Sequence, residues 1–369
     1  MSDALYIMVG GFLGAGKTTA VLQLASRLRE MGKQCGLITN DQSIGLVDTT
    51  LLANHGFPVE EITGGCFCCR FNSLVAAADN LQRDAIPDVF IAEPVGSCTD
   101  LKATVDYPLR RMYGDRFKIA PLSVLVDPIR ASRVHNLASG KSFSEKVIYV
   151  YRKQLEEADI IVINKVDLLT PDSLDDLKSA LESHYPAATV MAISARSGDG
   201  IDTWLSSILA HAEAPGRNLP IDYDTYADGE ALLGWVNISA DLTLETDIDG
   251  NTFLVSLLTN IQQRLASDAI EIAHLKGTLT PSQGNDLAVA NLVRTAGEVE
   301  LAYRLQDDID AGQLIVNLRA ESDASSLEDA VHTALHEAAG RADALVEIEH
   351  SEAFQPGRPT PTHRIQVSS

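Results

Sequence analysis

Three thiols crowd into four positions in the stretch Gly64-Gly65-Cys66-Phe67-Cys68-Cys69. If the backbone turns there, and the paired glycines permit it, Cys66, Cys68 and Cys69 can converge as thiolates on one soft or borderline cation. Three ligands leave a coordination position open, which suits a carrier that must hand its metal on. A redox pair, or buried cysteines acting as small hydrophobes, are the competing readings of the same residues. A second stretch, Gly11-Phe12-Leu13-Gly14-Ala15-Gly16-Lys17-Thr18, satisfies G-x-x-x-x-G-K-[ST]. Its glycines allow a tight turn that aims backbone N–H groups at phosphates. Lys17 can then reach the β- and γ-phosphates, the Thr18 hydroxyl can ligate Mg²⁺, and Thr19 continues the helix whose N-terminus favours the anion.

The base is read further along. Asn164-Lys165-Val166-Asp167 follows the apolar run Ile160 to Ile163, and an Asp so placed can pair with the two N–H donors of guanine, which adenine does not offer. Ser194-Ala195 follows the next apolar run and resembles the loop that, in P-loop GTPases, supports the guanine from above. Between these motifs stands Val89-Phe90-Ile91-Ala92-Glu93-Pro94-Val95-Gly96. Glu93 closes an apolar strand, where a Mg²⁺ shell finds its carboxylate, and Gly96 lets its N–H approach the γ-phosphate. Ser97 follows where a water-orienting Gln would be useful, so slow intrinsic hydrolysis is expected. The predicted nucleotide-binding set is thus Gly11, Gly14, Ala15, Gly16, Lys17, Thr18, Thr19, Gly96, Asn164, Lys165, Asp167, Ser194 and Ala195.

These residues need a scaffold that brings strand ends together. From Leu5 to Leu209 short β-rich runs alternate with helical patterns, and Val21, Leu24, Ala25 and Leu28 recur at helical spacing after the first run. The pattern predicts an α/β P-loop domain over 1–212, a mostly parallel sheet flanked by helices. Residues 213–222 read as a linker around Ala214-Pro215-Gly216. A smaller α+β domain follows over 223–352, with helices on one face of an antiparallel sheet and a last helix opened by a capping box at Ser326-Leu327-Glu328-Asp329. The Pro- and Thr-rich stretch 353–369 reads as a flexible tail.

Composition narrows the function class. With 29 basic against 51 acidic residues the 369-residue chain carries a net charge of −22, which argues against a nucleic-acid surface. No apolar run approaches bilayer length, and five cysteines without a disulfide framework fit a reducing cytoplasm. Cys35 reads as core. Cys98, two residues past Gly96, stays open between a structural role and a metal or phosphate-side role. His332 and His336, four apart on a predicted helix, are a weaker ligand pair.

Walker A, then C-x-C-C, then E-x-x-G, then N-K-x-D resembles, in that order, the CobW-like metallochaperone GTPases, relatives of the GTPases that insert nickel into urease and hydrogenase. The resemblance covers about the first 210 residues. It implies a GTPase that cycles GTP and GDP with Mg²⁺ and passes a transition metal, Zn²⁺ ahead of Co²⁺, Ni²⁺ or Fe²⁺, to a client metalloprotein or cofactor-maturation target, with a nucleotide-dependent homodimer as an option. By the same resemblance Asn40-Asp41 aligns with the family's first switch and places Asp41 at Mg²⁺. Asp48 aligns with a later family Asp and joins Lys17 and Glu93 as a catalytic candidate. Glu60 or Glu61 stands where the family carries acid and offers a fourth metal ligand. The chain departs from the family at Gln42-Ser43, where Phe-Gly is usual, and at Ser97-Cys98-Thr99-Asp100, where Leu/Ala-Asp-Pro is usual. A P-loop small-molecule kinase and a redox-sensing GTPase without metal are the alternatives.

Overall fold

The computed structural model describes residues 4–40, 52, 55–83, 86–210, 219–284 and 286–365. Asp41 and Asp48, and most of the expected linker (213–218), lie outside the described residues. The chain divides into two units: one takes in the described residues up to Gly229 and those from Arg358 on, the other runs Glu230–Gly357.

The first unit is built on parallel strands β1 (Ala4–Gly11), β2 (Cys35–Asn40), β3 (Val59–Ile62), β4 (Val89–Glu93), β5 (Phe117–Ile119), β6 (Ser123–Val126), β7 (Ile160–Ile163) and β8 (Thr189–Ala192). They lie in the order β3-β2-β4-β1-β6-β7-β8, with β5 beside β1, and every pairing is parallel. A parallel sheet needs a crossover between neighbours, so both faces are covered and its strands read as unbroken apolar runs. β4, β6 and β7 are accordingly buried at every residue. The crossovers are supplied by α1 (Lys17–Glu30), α2 (Phe71–Leu81), α3 (Tyr107–Tyr113, entered through a π-helical turn at Lys102–Asp106), α4 (Pro128–Val134), α5 (Glu145–Glu157), α6 (Pro171–His184) and α7 (Ile201–Ala210). On α1 the face Val21, Leu24, Ala25 and Leu28 is buried, where burial stabilises each Leu by about 1.5–3 kcal/mol. Cys35 sits in the same core, as expected.

This topology fixes where the chemistry collects. In an open parallel sheet, ligands gather beyond the carboxyl ends of the strands. β1 runs into the glycine loop, β3 into the cysteine loop, β4 into Glu93-Gly96, β7 into Asn164-Asp167 and β8 into Ser194-Ala195, so every sequence motif leaves the sheet at one edge.

The second unit is an α+β layer. β9 (Leu233–Ile248), β10 (Ile272–Pro281), β11 (Ala288–Leu292), β12 (Glu300–Tyr303), β13 (Ile309–Glu321) and β14 (Ala344–Phe354) form an antiparallel sheet ordered β12-β11-β10-β13-β9-β14. Alternate β9 residues, Val236, Ile238, Ala240 and Leu242, share one core with the apolar faces of two helices, Gly250–Ser267 and Ala324–Arg341. The expected capping box is corrected by three residues: the helix begins at Ala324, and the Asp323 carboxylate accepts from the Ser326 N–H at 2.9 Å. A carboxylate at the N-cap outdoes the serine downstream because its acceptor is fully charged.

Two boundaries also differ from the expected domains. Tyr223–Gly229, expected to open the second domain, groups with the first unit, as does the segment from Arg358 on. β14 extends to Phe354, and residues 358–365 are hydrogen-bonded along the first unit, because their backbone donors find acceptors there.

Candidate functional site

At the phosphate end the glycine loop takes the shape that its sequence requires. Gly11, Gly14 and Gly16 have φ of 133°, 78° and 85°, values an L side chain rarely adopts. A Cβ on Gly16 would stand 2.5 Å from Asn164 Nδ2. Lys17, Thr18 and Glu93 are all buried. The Thr18 hydroxyl donates to Glu93 Oε1 at 3.1 Å, and Lys17 Nζ lies 3.9 Å from the same oxygen. A hydroxyl and a carboxylate converging at the end of β4 are the hard oxygen donors that suit Mg²⁺. A Cβ on Gly96 would meet Leu13 N at 2.9 Å, so that glycine lets the segment after Glu93 lie against the P-loop itself.

At the base end, Asn164 holds the loops together. Its Nδ2 donates to Ala15 O at 2.9 Å, while its Oδ1 accepts from Lys165 N at 2.8 Å and Ala195 N at 3.0 Å. Lys165, at φ 56°, donates to Gly14 O at 2.7 Å and to Asp127 Oδ2 at 3.0 Å. The Ser194 hydroxyl donates to Asp167 Oδ1 at 2.6 Å, which orients that carboxylate while leaving it half-buried at the rim. The structure thus brings together the glycine loop, Asn164, Lys165, Asp167, Ser194 and Ala195.

The thiols converge as well. After β3, Gly64 (φ 73°) and Gly65 (φ 147°) reverse the chain, and the N–H groups of Cys69 and Arg70 close a turn on Cys66 O at 3.0 and 2.9 Å. The sulfurs of Cys66, Cys68 and Cys69 lie 2.6, 3.3 and 3.6 Å apart pairwise. They stand just before α2, whose N-terminal dipole favours thiolate. Hydrogen bonds from Cys68, Cys69 and Cys98 hold the Cys66 thiol well below the usual range, so Cys66 is the first thiolate. Cys68 is pushed well up, chiefly by its hydrogen bond to Cys66, and Cys69 is pushed up to about 11 for the same reason. These three form the group of metal-capable side chains found among the described residues.

Several candidates fall outside that group. Glu60 accepts from Asn80 Nδ2 at 3.1 Å, and neither Glu60 nor Glu61 joins the thiols. His332 bonds the Ser351 hydroxyl at 3.0 Å in the second unit, and neither it nor His336 belongs to the group. Cys98 is buried and hydrogen-bonded to Cys66 and Cys68.

Sequence reasoning missed three supports and gave Asn40 only a place in the first switch. Asp127 caps α4 through Arg130 N at 2.9 Å and meets Lys165. Burial would raise its carboxyl, but the charges of Lys165 and Arg130 outweigh that and hold it below the ordinary value. Asp127-Pro128 after an apolar strand is a legible N-cap signal. Arg130 donates to Leu13 O. Gln154 on α5 donates to Gly96 O at 2.9 Å and Cys98 O at 2.8 Å, and Asn40 clamps the cysteine loop through Ile62 O at 2.9 Å and Gly65 O at 2.8 Å.

Comparison with known proteins agrees with this geometry. Residues 5–192 match the family described as CobW/HypB/UreG, nucleotide-binding domain. The zinc chaperone YeiR of Escherichia coli (strain K12) is 34% identical over 168 residues, 45% of this chain and 48% of that one. The zinc chaperone CobW of Sinorhizobium is 27% identical over 213 residues, 52% of this chain and 59% of that one. Among solved structures, Zn(II)-bound YjiA GTPase from Escherichia coli is 16% identical with a TM-score of 0.39, covering 90% of this chain and 99% of that one. The chain spans about half the length of the curated relatives it matches. No described helix is long and apolar enough to cross a membrane. With its parallel-sheet P-loop unit matched over half the chain and its motifs in family order, this protein belongs to the CobW/HypB/UreG family.

Proposed function

We propose that the chain is a GTP-hydrolysing zinc chaperone, in which nucleotide state governs the retention of a metal held by Cys66, Cys68 and Cys69. The observation that carries this reading is the six-residue run Glu93–Cys98. Its first residue bonds Thr18 of the P-loop, Gly96 lies against Leu13, and its last residue bonds two of the three clustered thiols. One short segment therefore touches both the phosphate end and the metal end.

Each residue has a role in that reading. Lys17 supplies the cation for the β- and γ-phosphates, and Asp167, oriented by Ser194, selects guanine. Thr18 and Glu93 would hold Mg²⁺, which neutralises phosphate charge when bound. Asp41 and Asp48 remain family-based candidates for the same shell and for catalysis. Thiolates from Cys66, Cys68 and Cys69 take the metal as cargo, with Cys98 next in reach. Zn²⁺ suits a borderline site of sulfur ligands, and the relatives named as zinc chaperones support that choice over Co²⁺, Ni²⁺ or Fe²⁺. The recipient is a client metalloprotein or a cofactor-maturation target in the cytoplasm, and a nucleotide-dependent homodimer is compatible with the scheme. The close Cys66–Cys68 contact favours one other reading, a redox-sensing GTPase.

The test combines base preference with metal stoichiometry. The reduced protein should hydrolyse GTP far faster than ATP and hold about one Zn²⁺ per chain. Equal use of ATP would favour a kinase. GTP preference without bound metal, together with oxidation of the Cys66–Cys68 pair, would favour the redox reading.

A further inference from the structure

The segment Arg358-Pro359-Thr360-Pro361-Thr362-His363-Arg364 looks like a loose tail in sequence. Its prolines give it a different character. Proline fixes φ near the extended value and has no N–H, so Pro359 and Pro361 stiffen the strap and leave backbone donors at alternate positions. The two donors interleaved with the prolines, those of Thr360 and Thr362, are both spent on the cysteine loop. Thr360 N–H donates to Cys69 Sγ at 3.2 Å, and Thr362 N–H donates to Cys68 O at 2.8 Å. The Thr362 hydroxyl adds a bond to Cys69 O at 2.9 Å, and the His363 ring stands edge-on to Phe71, 5.1 Å away. Farther on, the strap fastens to the segment that follows Cys98: Arg364 Nε meets Asp100 Oδ2 at 2.7 Å, and Ile365 N–H donates to Ala103 O at 2.8 Å.

We propose that Thr360 is a positioning residue of the metal site, whose backbone N–H bonds the Cys69 sulfur, holds it as a ligating thiolate and slows loss of the metal. The inference rests on the zinc reading of Cys66, Cys68 and Cys69 and deepens it by naming what retains the cargo. An N–H bonded to a ligating sulfur fixes where that sulfur stands, as outer-shell partners do for metal ligands. Cys69 is the thiol for which this matters most, since it is the least buried of the three. The strap holds the cysteine loop by two main-chain N–H donors and one hydroxyl, and a partner's extended segment could replace the main-chain bonds one for one. Hand-off then begins with the strap lifting from Cys69.

The experiment uses the full chain and two substitutions at one position. Thr360→Pro removes the N–H while continuing the extended proline run. Thr360→Val keeps the N–H and removes the hydroxyl, which among the described residues donates to Arg358 O at 3.4 Å. Each is titrated with Co²⁺, whose thiolate charge-transfer band reports sulfur ligation, and then loaded with Zn²⁺ and challenged with a chromophoric chelator. Thr360→Pro should keep the wild-type stoichiometry but bind about tenfold more weakly, at the low end of the cost for outer-shell partners. Its band should move to longer wavelength as Cys69 becomes more electron-rich, and the chelator should strip it faster. Thr360→Val should match wild type. An unmoved band and unchanged release in Thr360→Pro, or equal effects of both substitutions, would overturn the role of Thr360 while leaving the zinc site standing. Failure of the wild-type chain to bind either metal would instead bring down the zinc reading and this inference with it.

Discussion

The nucleotide loops and the cysteine loop leave the same edge of one parallel sheet, yet they are held in different ways. The P-loop is locked from within by buried groups that are mutually satisfied: Asn164 joins it to the Ser194-Ala195 loop, and Lys165 ties it to Asp127. The cysteine loop is held by buried Asn40 at the end of β2 and, on its exposed side, by a strap from the far end of the chain. A buried network with every member paired is stiff, whereas the exposed bonds of the strap open at lower cost. That contrast is what a carrier needs. One end must read a nucleotide without deforming, and the other must let go of its cargo.

The largest effect should come from breaking the stiff end. Lys17→Ala removes one partner of a buried charge pair, a change that costs about 2–5 kcal/mol, so GTP affinity measured by calorimetry should fall by about 30-fold or more. Metal binding to the reduced nucleotide-free chain should persist in that variant. Loss of both activities together would mean that the two ends fold as one.

Acidity should separate the ends next. Cys68 and Cys69 are pushed up and stay protonated near neutrality, so binding zinc must release their protons. Proton release makes binding stronger as pH rises, by about tenfold per pH unit for each proton, or about 100-fold for two. Competition titrations between pH 6 and 8 should show that slope. A flat profile would contradict the order of thiol acidities, in which Cys66 ionises first.

Asp167→Asn tests base selection at the rim. It exchanges an acceptor pair for a mixed one, and a charged hydrogen bond is worth about 1.5–3 kcal/mol, so GTP affinity should drop by about 10–100-fold while xanthine nucleotides gain. Unchanged GTP affinity would remove Asp167 from the base site.

The last effect lies beside the shared segment, on α5, and bears on stability and not on either ligand. Burial, with Asp100 nearby, pushes the Glu157 carboxyl up to about 8, even though it accepts from the Thr99 hydroxyl at 3.1 Å and Lys102 N–H at 3.3 Å. The folded chain therefore holds a proton there that the unfolded chain gives up above its ordinary carboxyl range. Stability should fall as pH rises from about 4.5 to 8, by at most about 1.4 kcal/mol per pH unit for one proton. Glu157→Gln should flatten that part of the denaturation profile, and an unchanged slope would assign it to other groups.

What could be read from the sequence follows the same division. The stiff end was legible because its residues are neighbours in the chain: Gly11–Thr18 and Asn164–Asp167 are contiguous, and each motif sits where an apolar strand stops. Cys66, Cys68 and Cys69 were legible for the same reason. The fasteners were not, because each joins distant positions. Nothing local marks Gln154 as the residue that pins Gly96 and Cys98, or Asn40 as the clamp on Gly65. The Pro- and Thr-rich end read as flexible because composition records missing donors and not where the remaining ones go. In the second unit, the short strand Glu300–Tyr303 escaped notice because it is mostly exposed and carries no clean apolar alternation.

The most direct test of the account is a zinc titration of the same reduced protein in three forms: nucleotide-free, GDP-bound and bound to a non-hydrolysable GTP analogue. Because Glu93–Cys98 touches both ends, the GTP-analogue and GDP forms should differ in zinc affinity by about 5–150-fold, a coupling of about 1–3 kcal/mol, and zinc should shift the ratio of analogue affinity to GDP affinity by the same factor. The same zinc affinity in all three forms would leave a GTPase and a thiol site side by side and contradict the claim that one drives the other.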